Sequence, residues 1–215
     1  MMLEGFHLRV SRIVLEAVGP YGFALGGGYA LQAYGITNRP SNDIDSFVSQ
    51  IDEGLFNEAE AALCDALKAG GLDSVSGYSD SWFRAIQVFD PTTDEAVVVD
   101  LGYDYRENEP VVIVGLGPVL DIKDVITGKI RALWDRQAAR DFIDVDAIFQ
   151  TMRWTSSELL GMLQKIRPEA TPKAFAEILK SADTVSYEEY EGYGLDKKDI
   201  TGLANRLIAA ADSIS

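Results

Sequence analysis

Two carboxylates stand one residue apart in the stretch Asn42-Asp43-Ile44-Asp45-Ser46. In an extended strand, residues two apart point to one face. Asp43 and Asp45 would then project together while Ile44 faces a core. Like charges at that separation repel unless a cation lies between them. A hard divalent ion takes one or two carboxylates together with phosphate oxygens. The pair is therefore a candidate metal site for a phosphate-bearing substrate. The alternative is a turn or a solvated strand edge, since such triplets are common.

Other residues could join that chemistry. Asp100 ends the apolar run Ala96-Val97-Val98-Val99, where a lone carboxylate is costly unless paired or metal-bound. It is a candidate third carboxylate, with a strand-ending Asp that bonds backbone N–H groups as the alternative. Asp104 is a weaker competitor for the same role. Gly26-Gly27-Gly28 lies between a short apolar stretch and a helical one, and strand, glycine turn and helix in that order suit an anion. A dinucleotide fingerprint fails because its third glycine position is Leu31, and a Walker A loop fails because no Gly-Lys-Ser/Thr follows. Further on, Lys129 and Arg136 are seven apart and share a helix face that could reach bound phosphates. Asp141 and Asp144 are three apart and share another face. Ordinary ion pairing on a helix surface is the alternative for both.

The elements that must position these groups are readable from periodicity. Glu4 to Val18 has a helical apolar period ended by Gly19-Pro20. Tyr21 to Leu25 reads as a buried strand and Tyr29 to Tyr34 as a helix. Asp43 to Val48 reads as the strand bearing the carboxylates, and Leu55 to Ala69 as an amphipathic helix. Ser74 to Ser81 is turn-rich with a weak strand tendency. Trp82 to Phe89 and Ala96 to Leu101 read as a hairpin pair. Val111 to Val114 reads as a last strand, followed by the linker Gly115-Leu116-Gly117-Pro118. Helices alone are expected after it: Val119 to Asp135, one opening at Arg140, then Glu158 to Ile166, Pro172 to Leu179 and Asp199 to Ile214. Tyr187 to Tyr193 reads as a solvated acidic loop or short helix. The domain boundary is expected near residue 118, giving domains 1–118 and 119–215.

Composition narrows the function classes. The chain has 215 residues, 47% hydrophobic and 25% charged, which suits a globular core without staples. Its net charge of −15 opposes broad nucleic-acid binding and favours a cationic small molecule or a basic protein. The single histidine, His7, makes Ser-His-Asp, Cys-His and His-rich metal sites poor candidates. It reads as a partly buried helix residue. The single cysteine, Cys64, excludes an intrachain disulfide and fits a reducing cytosol. No signal peptide is expected, and no stretch approaches the roughly 20 apolar residues of a membrane span. A cytoplasmic protein is the expectation.

The motifs combine into a pattern. It runs Gly27-Gly28-Tyr29-Ala30-Leu31; Arg39, Ser41, Asp43 and Asp45; Val99-Asp100; Asp124-Val125, Lys129, Ala132-Leu133, Arg136, Arg140-Asp141 and Asp144. In this the chain resembles the AbiEii-type nucleotidyltransferase toxins, which include the MenT proteins. These are toxin halves of bacterial type IV toxin–antitoxin pairs and belong to the DNA polymerase β-like superfamily. The motifs span residues 25–144.

The resemblance implies an α+β fold: a small mixed β-sheet nucleotidyltransferase core with flanking helices, followed by a C-terminal helical domain. It implies Mg²⁺ (or Mn²⁺) on Asp43 and Asp45, with Asp100 as third carboxylate and metal ligand. It implies that Gly27 and Gly28 bracket the triphosphate of an NTP. Lys129 matches the family's lysine, and Arg136, Arg140, Asp141 and Asp144 match its last motif. The expected catalytic set is Asp43, Asp45, Asp100, Lys129 and Asp141. The expected nucleotide-binding set is Gly27, Gly28, Arg39, Ser41, Lys129, Arg136, Arg140 and Asp144. Arg39 and Ser41, just before the strand, could contact triphosphate or ribose. The implied activity moves a nucleotide from an NTP to an acceptor hydroxyl, with the tRNA 3′ end as one acceptor and an antitoxin as protein partner. The competing readings are transfer to a small molecule or protein, and an inactive fold that acts by binding.

Overall fold

The computed structural model describes residues 4–214. They form two compact units, residues 1–124 and 125–215.

The first unit begins with α1 (Gly5–Val18), whose buried side chains Phe6, Val10, Val14, Leu15 and Val18 follow the helical period. The chain then runs through β1 (Ala24–Leu25), α2 (Gly27–Ala33), β2 (Asp43–Val48) and α3 (Glu53–Ala69). Asp52 caps α3 by accepting from the Gly54 and Leu55 amides, an interaction worth about 1 kcal/mol. Four strands follow, β3 (Asp73–Asp80), β4 (Phe83–Phe89), β5 (Ala96–Tyr103) and β6 (Val111–Ile113), and then β7 (Gly117–Val119). The sheet has seven strands in the order β3-β4-β5-β2-β1-β7-β6. It is mixed: β2–β5 and β1–β7 are parallel and the other neighbours antiparallel.

One sheet face is core. Ile44 and Val48 of β2, Ile86 and Val88 of β4, and Val97, Val99 and Leu101 of β5 are all buried. Each such side chain contributes about 1.5–3 kcal/mol by leaving water. Arg84 projects on this face too, and its guanidinium is met by Glu60 and Asn57 of α3, which places α3 there. Phe56 of α3 packs edge-to-face on Phe23 with centroids 5.3 Å apart. Because strand side chains alternate, Asp43 and Asp45 of β2 and Asp100 of β5 emerge on the opposite face.

Three local readings differ from the sequence expectation. Gly117 to Val119 is a strand, not linker, and pairs with both β1 and β6. A glycine and a proline in three residues hide it, but the ladder to Leu25 imposes it. The strand ahead of the glycines shrinks to Ala24–Leu25, because Gly19–Tyr21 forms a 3₁₀ turn with Pro20 in its first turn. The helix after it starts within the glycine run, at Gly27, with Gly26 as N-cap.

The second unit is helical. It comprises most of α4 (Ile122–Arg136), then α5 (Ala139–Gln150), α6 (Ser156–Ile166), α7 (Pro172–Lys180), α8 (Tyr187–Glu191) and α9 (Lys197–Asp212). The division of the chain falls in the first turn of α4. Thr155 and Asp196 cap α6 and α9 in capping boxes closed by Glu158 and Asp199. α5 is the buried centre, and Asp146 on it takes a bidentate pair from Arg206 of α9 at 2.7 Å for each bond. The acidic stretch after residue 186 forms α8, and within it Tyr190 is fully buried and donates to the Ala182 carbonyl. No helix among the described residues is long and apolar enough to cross a membrane.

Candidate active site

Parallel pairing of β2 with β5 sets the site. Asp45 and Asp100 are register partners, and Asp43 is opposite Val98. Carboxylate oxygens of Asp43, Asp45 and Asp100 all lie within 4.8 Å of one another. On the far side of Asp100 its register partner in β4 is Ala85, too small to cover it. The three acids are half-buried. Burial, with Asp45 and then Asp43 nearby, pushes the Asp100 carboxyl up from 3.8 to about 6. A bound cation would oppose both causes, the burial of the charge and the repulsion from Asp45 and Asp43. Three hard oxygen donors suit Mg²⁺ or Mn²⁺ rather than a softer ion. The residues present therefore fit the metal that the resemblance implies. Asp104 stands outside this set, and its amide donates to the Val48 carbonyl.

The glycine run is built against these carboxylates. The Gly26 amide donates to the Asp45 carbonyl at 2.8 Å. A Cβ on Gly27, whose φ is +59°, would lie 1.7 Å from Asp45 Oδ2. A Cβ on Gly28 would lie 2.6 Å from Ser41 Oγ and 3.5 Å from an Arg39 guanidinium nitrogen. Side chains are thus excluded at both positions by close approach, independent of any phosphate.

The loop between α2 and β2 is equally fixed. Ser41 Oγ donates to Asp43 Oδ1 at 3.0 Å. Arg39 is buried and one guanidinium nitrogen donates to the Pro40 carbonyl. Gln32 donates to the Arg39 carbonyl and the Tyr29 hydroxyl to the Ser41 carbonyl, both at 2.8 Å. Tyr29 carries a contact that the sequence reading missed: its hydroxyl also meets Nδ1 of His7. Helical spacing of Tyr29 and Gln32, three apart on one face, was the available signal.

Gly27, Gly28, Arg39, Ser41, Asp43, Asp45 and Asp100 therefore come together in the first unit. The other expected site residues belong to α4 and α5 and pair among themselves. Lys129 Nζ lies 3.0 Å from Asp144 Oδ2, and both residues are buried. Arg136 donates to both oxygens of Asp141, at 2.8 and 2.7 Å. Asp141 has no exposed surface and also accepts from the Ala138 amide, so it ties the start of α5 to the end of α4. Arg140 is half-buried on the first turn of α5.

Comparison with solved structures gives the same fold at low identity. A MenT4 nucleotidyltransferase toxin from Mycobacterium tuberculosis superposes with a TM-score of 0.66 at 14% identity, covering 97% of this chain and 84% of that one. JHP933 from Helicobacter pylori superposes at 0.61 with 21% identity, covering 97% and 90%. No curated protein sequence matches the chain. Residues 13–205 match the family model described as nucleotidyl transferase AbiEii toxin, type IV toxin–antitoxin system. With nine-tenths of its length inside that match, and with an acid triad beside a glycine turn, the chain belongs to the AbiEii family of nucleotidyltransferase toxins.

Proposed function

We propose that this nucleotidyltransferase works at Asp43, Asp45 and Asp100 with Mg²⁺ or Mn²⁺, and that its acceptor is the tRNA 3′ end. The observation that carries the metal reading is the convergence of three carboxylates within 4.8 Å of one another on one sheet face. The bound cation would neutralise charge on the reacting phosphate and help stabilise the entering and leaving oxygens. Asp43 and Asp45 would hold it, together with Asp100. A carboxylate oxygen of Asp100 would accept the proton of the attacking hydroxyl, a role no histidine of the chain is placed to take. Gly27 and Gly28 leave bare backbone beside Asp45, where the NTP phosphates would lie, and Arg39 and Ser41 line the same edge. Lys129, Arg136, Arg140 and Asp144 are assigned to nucleotide use on the family pattern. An antitoxin and an NTP follow from the family as protein partner and substrate.

A second acceptor class is favoured by one observation. The net charge of −15 repels a polyanion, so a small molecule or a protein is the competing acceptor. Incubating purified protein and cell lysate with each labelled NTP and Mg²⁺ tests both readings. Label in tRNA that disappears with Asp45→Ala supports the proposal. Label in protein or in a small molecule assigns the competing acceptor. No Asp45-dependent label in any fraction removes the metal site.

A further inference from the structure

We infer that Tyr29 is a positioning residue for the carboxylate Asp43, acting through Ser41 and oriented by His7. The inference rests on the metal-site reading above and adds residues outside it.

The hydrogen bonds define a directed chain. A tyrosine hydroxyl has a single proton. The Ser41 carbonyl can only accept, so that proton is committed to it at 2.8 Å. His7 Nδ1, in contact with the same oxygen, must then be the donor. Tyr29 is 4% exposed, and burial followed by the nearby Asp43 pushes its hydroxyl up to about 12, so it stays a donor. One turn further along α2, Gln32 holds the Arg39 carbonyl. Two side chains on one helix face thus grip two carbonyls of the loop that enters β2. The gripped residue Ser41 passes the constraint on, since its Oγ donates to Asp43 Oδ1. That oxygen belongs to the acid triad. Gly28 leaves the space beside this hydroxyl open, since a Cβ there would lie 2.6 Å from Ser41 Oγ and push it off Asp43. Loss of the Tyr29 hydroxyl leaves the ring in place but frees the Ser41 carbonyl, and the aim of Asp43 loosens with it.

Titrating Mn²⁺ alone into the full chain by calorimetry tests this without turnover. One intramolecular hydrogen bond is worth about 0.5–1.5 kcal/mol, so Tyr29→Phe should weaken Mn²⁺ binding about two- to twelvefold. Ser41→Ala should weaken it by a similar factor. The double variant should bind no more weakly than Ser41→Ala, because Tyr29 acts through that serine. Tyr34→Phe is the control: its hydroxyl donates to the Leu120 carbonyl, and Mn²⁺ affinity should not change. If Tyr29→Phe fails to fold, His7→Phe replaces it in the same cycle. Parent affinity in Tyr29→Phe, or equal fold-changes with and without Ser41, overturns the positioning role. If Mn²⁺ does not bind the parent at all, the metal-site reading falls, and this inference with it. Binding that Asp43→Asn weakens while Tyr29→Phe does not leaves the metal site standing and removes only Tyr29.

Discussion

Asp45 and Asp100 are register partners on adjacent parallel strands, so two acids share one face across a single ladder step. The cost falls on Asp100, whose carboxyl is raised to about 6 by burial and by Asp45 and Asp43. Between about pH 4 and 6 the folded chain then holds more protons than the unfolded chain. Stability supplied by the protonated form is present below that window and declines as pH rises through it. In EDTA, Asp100→Asn should match the parent at pH 4 and melt about 2–4 °C higher at pH 7, for each kcal/mol relieved. Mg²⁺ should narrow the gap by stabilising the parent alone. Parallel melting curves across pH 4–7.5 would contradict the coupling.

Gly27 is the second test of that arrangement. Its φ of +59° costs an alanine about 1–2 kcal/mol. Gly35 has φ +68° with nothing within 4 Å of a Cβ, so Gly35→Ala pays the same strain without touching the site. Gly27→Ala should lose at least as much stability as Gly35→Ala in urea titrations, the excess being the cost of moving Asp45. Gly27→Ala alone should lose transfer per folded molecule, because its methyl displaces the Asp45 carboxylate. Equal transfer by the two variants would show that the glycine serves only the turn.

The carboxylate strand was legible because alternation of Asp43, Ile44 and Asp45 has one consistent structural solution, and Asp100 because it breaks an apolar run. The long helices were legible from their periods and caps. Other features depend on partners distant in sequence. Gly117 to Val119 is a strand only because Leu25 and Val111 to Ile113 flank it. Spacing put Lys129 and Arg136 on one helix face and left phosphate contact and ion pairing both open; that each meets an acid of α5 depends on the packing of α4 against α5. Nothing in the sequence distinguishes Tyr190, inside an acidic stretch, as fully buried core. His7 showed only as a helix residue, since its partner Tyr29 is 22 residues away.

Asp141 separates catalysis from architecture. Its oxygens accept from the Arg136 guanidinium and the Ala138 amide, and it has no exposed surface. Asp141→Ala should destabilise the chain by about 1–3 kcal/mol in urea titrations, the cost of stripping partners from buried groups. Transfer per folded molecule should stay within about threefold of the parent. A loss of transfer without a loss of stability would give Asp141 the catalytic role that the resemblance implies.

Lys129 demands a paired design, because its ammonium is buried 3.0 Å from the fully buried Asp144. Removing the lysine from a buried ion pair costs about 3–5 kcal/mol, whereas replacing both members with apolar groups is often neutral. Lys129→Ala should therefore lower stability sharply, and any loss of transfer would be uninterpretable. Lys129→Met with Asp144→Leu should recover most of that stability. Transfer by this stable double variant then decides the matter. If the Lys129–Asp144 pair serves the nucleotide, the double variant stays folded and fails to transfer, with a raised KM for NTP or a lowered kcat. Parent kinetics in the double variant would make the pair a strut between α4 and α5 and nothing more.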